Sequence, residues 1–379
     1  MQDRGAENVG AAVDDLGPAR VAELDASDML GAIAGLAGQV RDGYAEARRQ
    51  LDLVAFEDGA ATAAPAPPAR PSGVAVLGMG GSAIGADLVF ATFADLAVPA
   101  VVVRDERLPG WVDERTLVVA VSYSGDTAET LAATAAATAR GCRPVCVTAG
   151  GQLAAFAGAC GLPLLTIPTG RQPRAALGLL AMAVLAALER AGLVPTCGEA
   201  VAEAAALLDV AAAQYAPDVG EQSNPAKALA RRLQGRVPLV CGQGLTAPVA
   251  RRWKTQLNEN AKVAAFFATL PELDHNEVEA WGAGGPLDAS GCVVMLEDQG
   301  AGDRPRRRST VTAETFAAAG VPVERLETQG VSPLARVFSL VALGDHVSLY
   351  LALLRGVDPT PVEAIQRLKR RLGDGTGGP

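Results

Sequence analysis

Three hydroxyls and a glycine stand together in Ser122-Tyr123-Ser124-Gly125-Asp126-Thr127, directly after the apolar run Thr116–Val121 and before a helical stretch opening near Thr127. At the carboxyl edge of a parallel sheet, backbone N–H groups and a helix dipole point outward and favour an anion. Ser122, Ser124 and Thr127 can donate to phosphate oxygens without adding charge, which suits reversible binding of a small phosphorylated ligand. The alternative is Thr127 as a simple N-cap, which leaves the two serines without a purpose. A second turn, Gly78-Met79-Gly80-Gly81-Ser82, also joins an apolar run to a helical pattern. Its glycines permit positive φ and close approach of a ligand to the backbone. With Ala83 it satisfies G-x-G-x-x-A, a dinucleotide fingerprint that is weak without an acidic residue ending the next strand, where Arg104-Asp105 stands. A tight turn with no ligand is the other reading.

The remaining reactive types are sparse. Six cysteines (142, 146, 160, 197, 241 and 292) form no CxxC pair, and two histidines are too few to complete a metal cluster. Cys142 and Cys146 flank an apolar run and read as reduced core thiols. His346 lies in a long apolar helical pattern and reads as structural, whereas His275 sits in a polar turn between Asp274 and Asn276. Arg304 to Arg308 reads as a solvated loop face.

These residues need a scaffold, and hydrophobic periodicity supplies one. Apolar positions from about Val21 to Phe56 recur at helical spacing, followed by the Ala/Pro-rich turn or linker Asp58–Gly73. Strands are expected at Val74–Leu77, Val98–Val103, Thr116–Val121, Pro144–Thr148 and Leu164–Ile167. Helices are expected at Ser82–Phe93, Thr127–Ala139 and Arg174–Ala191. A helical connector covers about Gly198–Gln234. The alternation restarts with strands Val237–Cys241, Val263–Ala268, Cys292–Leu296 and Val323–Leu326. Helices Ala247–Asn258, Thr310–Ala319, Pro333–Leu354 and Pro361–Leu372 accompany them, with a short turn at Asn276–Trp281. Fully apolar strands between helices imply parallel sheets covered on both faces. Gly242-Gln243-Gly244 answers Gly78-Met79-Gly80, so two tandem doubly wound α/β domains are expected. The division is residues 1–72 as helical lead and linker, 73–195 as first domain, 196–235 as connector and 236–379 as second domain. Residues 1–17 and the tail GDGTGGP read as loose.

Composition narrows the partners. With 379 residues, 49% apolar and a net charge of -9, the chain has no basic block for nucleic acid or anionic membrane. The N-terminus lacks the basic and apolar regions of a signal peptide. The apolar stretch nearest to membrane length, Ala175–Leu188, is too short. A cytoplasmic location is expected.

GMGGSAIGADL followed by SYSGDTAET resembles the sugar isomerase (SIS) domain, a sugar-phosphate-binding module. Further on, Gln172-Pro173-Arg174-Ala175-Ala176-Leu177-Gly178, the run Arg252 to Lys262 (RWKTQLNENAK) and Pro271 to Glu277 (PELDHNE) resemble the bifunctional phosphoglucose/phosphomannose isomerase family, in its actinobacterial type. The likeness spans about residues 20 to 372. It implies a homodimer of tandem SIS domains that interconverts glucose 6-phosphate, mannose 6-phosphate or both with fructose 6-phosphate, with no metal and no organic cofactor. Ser122, Ser124 and Thr127 then hold the phosphate, and Gly80, Gly81 and Ser82 approach the sugar. Arg174 supports the enediol, Glu259 is the base, and His275 opens the ring from the neighbouring subunit. Lys369 matches a family lysine near the ring oxygen, although a lysine in an Arg/Lys-rich helix also reads as a surface residue.

Such chemistry needs those residue types. One base must take a proton from one carbon and return it to its neighbour, and a carboxylate serves if its pKa approaches neutrality. The developing enediolate needs a cation. A histidine titrates in the range that ring opening requires. Without the motif context, Glu259 reads equally as a polar helix-end residue and His275 as a structural histidine. Two positions depart from the family pattern. Asp126 replaces the usual Asn in the serine loop, where a carboxylate repels phosphate unless it caps a helix or pairs with a cation. A family threonine associated with the mannose epimer is displaced in Asp358-Pro359-Thr360-Pro361-Val362, leaving Val362 near its place. A non-catalytic sugar-phosphate sensor is the alternative function, and a nucleotide-dependent oxidoreductase, resting on the glycine turn, is a third.

Overall fold

The computed structural model describes residues 15–53, 71–282, 284, 285, 287 and 289–372. The polar start up to residue 14, nearly all of the Ala/Pro stretch and the glycine-rich tail lie outside these residues. The expected helical lead divides into α1 (Pro18–Leu24), α2 (Met29–Ala34) and α3 (Leu36–Leu53). Two acids break it: the Asp25 carboxylate accepts from the N–H groups of Met29 and Leu30 at 2.8 and 2.7 Å. Asp28, in the left-handed region, accepts from Gly31 N–H.

The first sheet unit follows as β1 (Gly73–Leu77), α4 (Gly80–Thr92), β2 (Ala100–Val103), β3 (Thr116–Val121), α5 (Ala128–Ala139), β4 (Val145–Thr148), α6 (Gly151–Cys160) and β5 (Leu164–Thr166). A 3-10 turn at Pro173–Ala175 then leads into α7 (Leu177–Arg190). The strands lie in the order β2-β1-β3-β4-β5, all parallel, with Val76 paired to Val102 on one side and Val119 on the other. Helix α6 was not expected from the sequence. It opens on Gly150-Gly151 with no local side-chain cap, and its cap comes from a distant loop.

The connector resolves into α8 (Gly198–Gln214) and α9 (Pro225–Leu233), separated where Asn224 caps the second helix with bonds from Ala226 and Lys227 N–H. The second unit comprises β6 (Val237–Gln243), α10 (Ala247–Glu259), β7 (Phe266–Leu270), β8 (Gly291–Glu297), α11 (Asp303–Ala318) and β9 (Val323–Glu327). Helices α12 (Pro333–Leu354) and α13 (Glu363–Leu372) complete it. Its strands are also all parallel, in the order β7-β6-β8-β9. In both sheets the first strand is flanked on both sides by later ones, so the chain reverses its direction of winding there and leaves a crevice at the carboxyl edge.

Three details correct the expectations. The run Arg304–Arg308 belongs to the first turns of α11, not to a loop, because a proline is tolerated in a first helical turn. Strand β7 starts three residues later than Val263. The longest apolar helix is α12, 22 residues with 94% of its most apolar window buried, not Ala175–Leu188. It packs against α8, α9 and α10 as a core helix. On the other side α7, with every residue from Leu177 to Leu188 buried, is enclosed by α3 and α4.

Candidate active site

The serine loop leaves β3 at the carboxyl edge of the first sheet. Ser122 is buried, and its Oγ lies 3.0 Å from Thr127 Oγ1 and accepts from Gly125 N–H at 3.1 Å. Ser124 is exposed, its Oγ accepting from Asp126 N–H at 3.2 Å. Thr127 occupies the N-cap position of α5, yet its hydroxyl makes no cap bond. The hydroxyl is turned to Ser122 instead, so capping does not account for it. Gly125 has φ 77°, and a Cβ there would stand 1.9 Å from the Gly150 carbonyl oxygen. Only glycine lets the loop fold this closely against the next one.

Asp126 points away from these hydroxyls. Its Oδ1 accepts from the Gln152 backbone N–H at 3.0 Å and from the Gln152 amide at 3.4 Å. The carboxylate thus caps the N-terminus of α6, where a negative charge is favoured by the helix dipole.

The glycine turn supports this loop from behind. Ser82, buried in the first turn of α4, accepts from Tyr123 N–H through its Oγ at 3.2 Å. Gly80 adopts φ 48° with open space where a side chain would be. At Gly81 a Cβ would fall 2.9 Å from Arg174 N and 3.0 Å from its Cα. Gly81 is required because the 3-10 turn carrying Arg174 packs directly on it. A Cβ at Gly78 would stand 2.9 Å from the Val121 carbonyl oxygen and Gly80 takes a left-handed φ, so packing and backbone conformation account for the G-x-G-x-x-A glycines without a dinucleotide. Asp105, the acid such a site needs, accepts instead from Arg107 N–H at 3.0 Å.

Arg174 is the hinge between the two sheets' loops. Its side chain is 4% exposed, and Nη1 stands 3.5 Å from Glu259 Oε2. Nε donates to Asn260 Oδ1 at 2.7 Å, and Nη2 donates to the carbonyls of Pro359 and Thr360 at 3.0 and 2.7 Å. Burial pushes the Arg174 pKa down, and the Glu259 carboxylate opposes that shift. An arginine stays charged nonetheless. Glu259 ends α10, its side chain 29% exposed, on the wall of an open cavity that it shares with Lys262, Asp358, Val362 and Ile365.

A buried network fixes this pair from beneath. Asn260 donates through Nδ2 to Ser348 Oγ at 3.0 Å. Arg252 makes a two-pronged bond to Asp345 at 3.0 and 2.6 Å and donates to the Arg174 carbonyl at 3.0 Å. Gln256 also donates to Asp345. Sequence reading passed over these residues and gave Lys262 no role, although most of them lie within the RWKTQLNENAK run. His346, in the same helix as Asp345, is buried with Nδ1 2.8 Å from the Ala342 carbonyl, as a structural histidine would be.

Two of the expected site residues stand apart from this cluster. His275 is exposed in the helical turn Glu272–His275 beyond the carboxyl end of β7, whereas Glu259 precedes its amino end. The five residues of β7, roughly 16 Å of extended chain, lie between them in the sequence. The turn bearing His275 is anchored by α11: Arg308 Nε lies 3.3 Å from Asp274 Oδ2, and Thr312 donates to Asp274 Oδ1 at 2.7 Å. Lys369 is exposed on α13, one turn past Ile365. Val362 lines the Glu259 cavity, while Thr360 is buried and turns its backbone carbonyl to Arg174.

Comparison with known proteins agrees with this layout. Residues 70–185 match the SIS domain, and residues 222–372 match the bacterial phospho-glucose isomerase C-terminal SIS domain. The chain is 40% identical over 305 residues to a bifunctional phosphoglucose/phosphomannose isomerase of Caldicellulosiruptor bescii, covering 79% of this chain and 89% of that protein. It is 36% identical to the enzyme of the same name from Aquifex aeolicus, covering 79% and 90%. Among solved structures, a hypothetical protein from Thermus thermophilus superposes with a TM-score of 0.72 at 20% identity, over 96% of this chain and 94% of that one, a likeness of fold. With two SIS units in tandem and relatives this similar along most of its length, the chain belongs to the bifunctional phosphoglucose/phosphomannose isomerase family.

Proposed function

We propose that the protein is an aldose–ketose isomerase that interconverts glucose 6-phosphate, mannose 6-phosphate or both with fructose 6-phosphate through a cis-enediol. The observation that carries this reading is the pairing of the Glu259 carboxylate with the buried Arg174 guanidinium at 3.5 Å, on a turn that packs against the glycine turn behind the serine loop. Ser122, Ser124 and Thr127 hold the phosphate, with Gly80, Gly81 and Ser82 toward the sugar. Glu259 takes the proton from C2 of the opened aldose. The C–H electron pair forms the C1–C2 double bond as the C1=O π pair moves onto O1, a proton passes from O2 to O1, and the same carboxyl returns its proton to C1 as C2–O2 becomes the carbonyl. Positive charge beside the enediolate lowers the barrier.

Ring opening is assigned to His275 of a second copy. The separation of His275 from Glu259 across β7 supports this, because one chain alone has no histidine at its own base. The working enzyme is therefore a homodimer. Lys369 stands about 6 Å of helix beyond the cavity residue Ile365, which supports a place for it near the sugar ring. A phosphorylated metabolite as substrate goes with a cytoplasmic location.

Incubation with fructose 6-phosphate in deuterated water, followed by NMR of the C1 and C2 protons, tests the proposal. Solvent exchange and aldose formation that disappear in Glu259→Gln are expected. Saturable binding without exchange would instead identify a sugar-phosphate sensor.

A further inference from the structure

We propose that Lys262 is a second cationic electrophile of this site, donating a hydrogen bond to the sugar oxygen that gains charge as the enediolate forms. The inference rests on the isomerase reading above and deepens it.

The starting point is how little of Arg174 is free. Nε and Nη2 are committed to Asn260, Pro359 and Thr360 at 2.7 to 3.0 Å. Only Nη1 remains, with Gln172 Oε1 and Glu259 Oε2 each 3.5 Å away. Most of the guanidinium's bonding therefore ties Asn260 to the Pro359–Thr360 segment, and little of it is left for a ligand.

Lys262 shares the Pro359 carbonyl with Arg174 but is less committed. It follows the end of α10 by three residues, with φ 56°, a conformation that favours glycine. That backbone turn brings the side chain back over the last helical turn, and Nζ donates to the Glu259 carbonyl at 2.5 Å and to the Pro359 carbonyl at 3.2 Å. An ammonium has three N–H donors, so the third is left for a ligand in the cavity that Lys262 and Glu259 line together. Burial, with Arg174 adding repulsion, pushes the Lys262 pKa below its ordinary value. A more acidic ammonium is a stronger hydrogen-bond donor to a developing oxyanion. No proton is transferred, and no other reactant is required.

The experiment uses full-length Lys262→Met and Lys262→Arg. Three quantities are measured: turnover of fructose 6-phosphate, inhibition by a phosphorylated aldonohydroxamate, which mimics the enediolate, and inhibition by a hexitol 6-phosphate, which does not. Lys262→Met is expected to lose about 100-fold in kcat, as when one electrostatic donor is removed from an active site. The hydroxamate weakens in parallel, the hexitol phosphate keeps its affinity within about threefold, and Lys262→Arg recovers part of the loss. Unchanged kcat and hydroxamate affinity overturn the role. An equal loss for both inhibitors also overturns it, since that outcome marks collapse of the cavity rather than loss of an electrophile. If Lys262→Met does not fold, Lys262→Gln serves for the same comparison. A wild-type protein with no turnover or exchange overturns the isomerase reading itself and this inference with it.

Discussion

Arg174 and Glu259 face each other at 3.5 Å across the junction of the two sheet units, the arginine almost wholly buried and the carboxylate open to the cavity. The asymmetry matters for stability as well as chemistry. Arg174 satisfies two backbone carbonyls more than 180 residues away in sequence. Truncating it strands the Thr360 carbonyl and the Asn260 amide oxygen in the interior, while Lys262 still donates to the Pro359 carbonyl. Arg174→Met is expected to lower unfolding stability by about 2–5 kcal/mol, since each buried acceptor left without its donor costs about 1–3 kcal/mol, measured by urea denaturation. Arg174→Lys keeps the charge but lacks the fork, so it falls between Met and wild type.

If the site is shared between copies, two inactive variants should rescue one another. Glu259→Gln removes the base and His275→Asn removes the ring-opening group. Unfolded together and refolded as a mixture, random pairing yields heterodimers in half of the molecules, each with one intact site, so activity returns to about one quarter of wild type. Mixtures that stay inactive, with dimers confirmed by sedimentation, would assign both residues to one chain.

The helical turn before Asn276 gives a second handle on that arrangement. Asp274 is held by Arg308 and Thr312 of α11. Arg308→Ala removes a partly exposed ion pair, worth less than about 1 kcal/mol to overall stability. It nevertheless frees the segment that carries His275. A fall of several-fold in kcat/KM with melting temperature nearly unchanged is the expected result of steady-state kinetics and calorimetry.

Much of this was legible in the sequence for a specific reason. The serine loop, the glycine turn and the Arg174 and Glu259 motifs are local strings whose residue types carry their own geometry, and the fully apolar strands announce parallel sheets. What escaped depends on contacts between distant segments. Helix α6 has no cap of its own, and Asp126 supplies one from another loop. The Arg174 bonds to Pro359 and Thr360 have no periodic signature. Lys262 sits in a left-handed conformation that sequence patterns assign to glycine, so its return over the helix end was hidden. The Arg304–Arg308 run looked like a loop because charge and proline outweighed the weak periodicity of an exposed helix.

Asp126 should tolerate neutralisation. Asparagine retains an acceptor for Gln152 N–H, so Asp126→Asn loses only the charge–dipole contribution at α6, about 0.3–1 kcal/mol. A negative charge a few residues from the phosphate is removed at the same time. Isothermal titration with fructose 6-phosphate is expected to show affinity tightened by about two- to fivefold at low ionic strength. The gain shrinks toward roughly 0.5 M salt as screening grows. Weaker binding in the variant would mean that the carboxylate helps to hold the loop in its binding shape.

His346 sets a limit on acid stability. Its Nδ1 donates to the Ala342 carbonyl, Nε2 is buried with no hydrogen-bond partner among the described residues, and Tyr215 packs edge-on against the ring. Burial pushes its pKa below the ordinary 6.5, so the folded chain holds it neutral while the unfolded chain protonates it. Below about pH 6.5 the unfolded state binds the extra proton, and stability falls by up to about 1.4 kcal/mol per pH unit until the folded-state pKa is reached. Above about pH 6.5 the contribution is flat. Melting temperatures recorded from about pH 8 to pH 5 should therefore be level and then decline. His346→Phe, which cannot take up a proton, should make the slope between about pH 6.5 and 5 shallower even if it melts lower at pH 8. An unchanged slope would place the acid sensitivity on other groups.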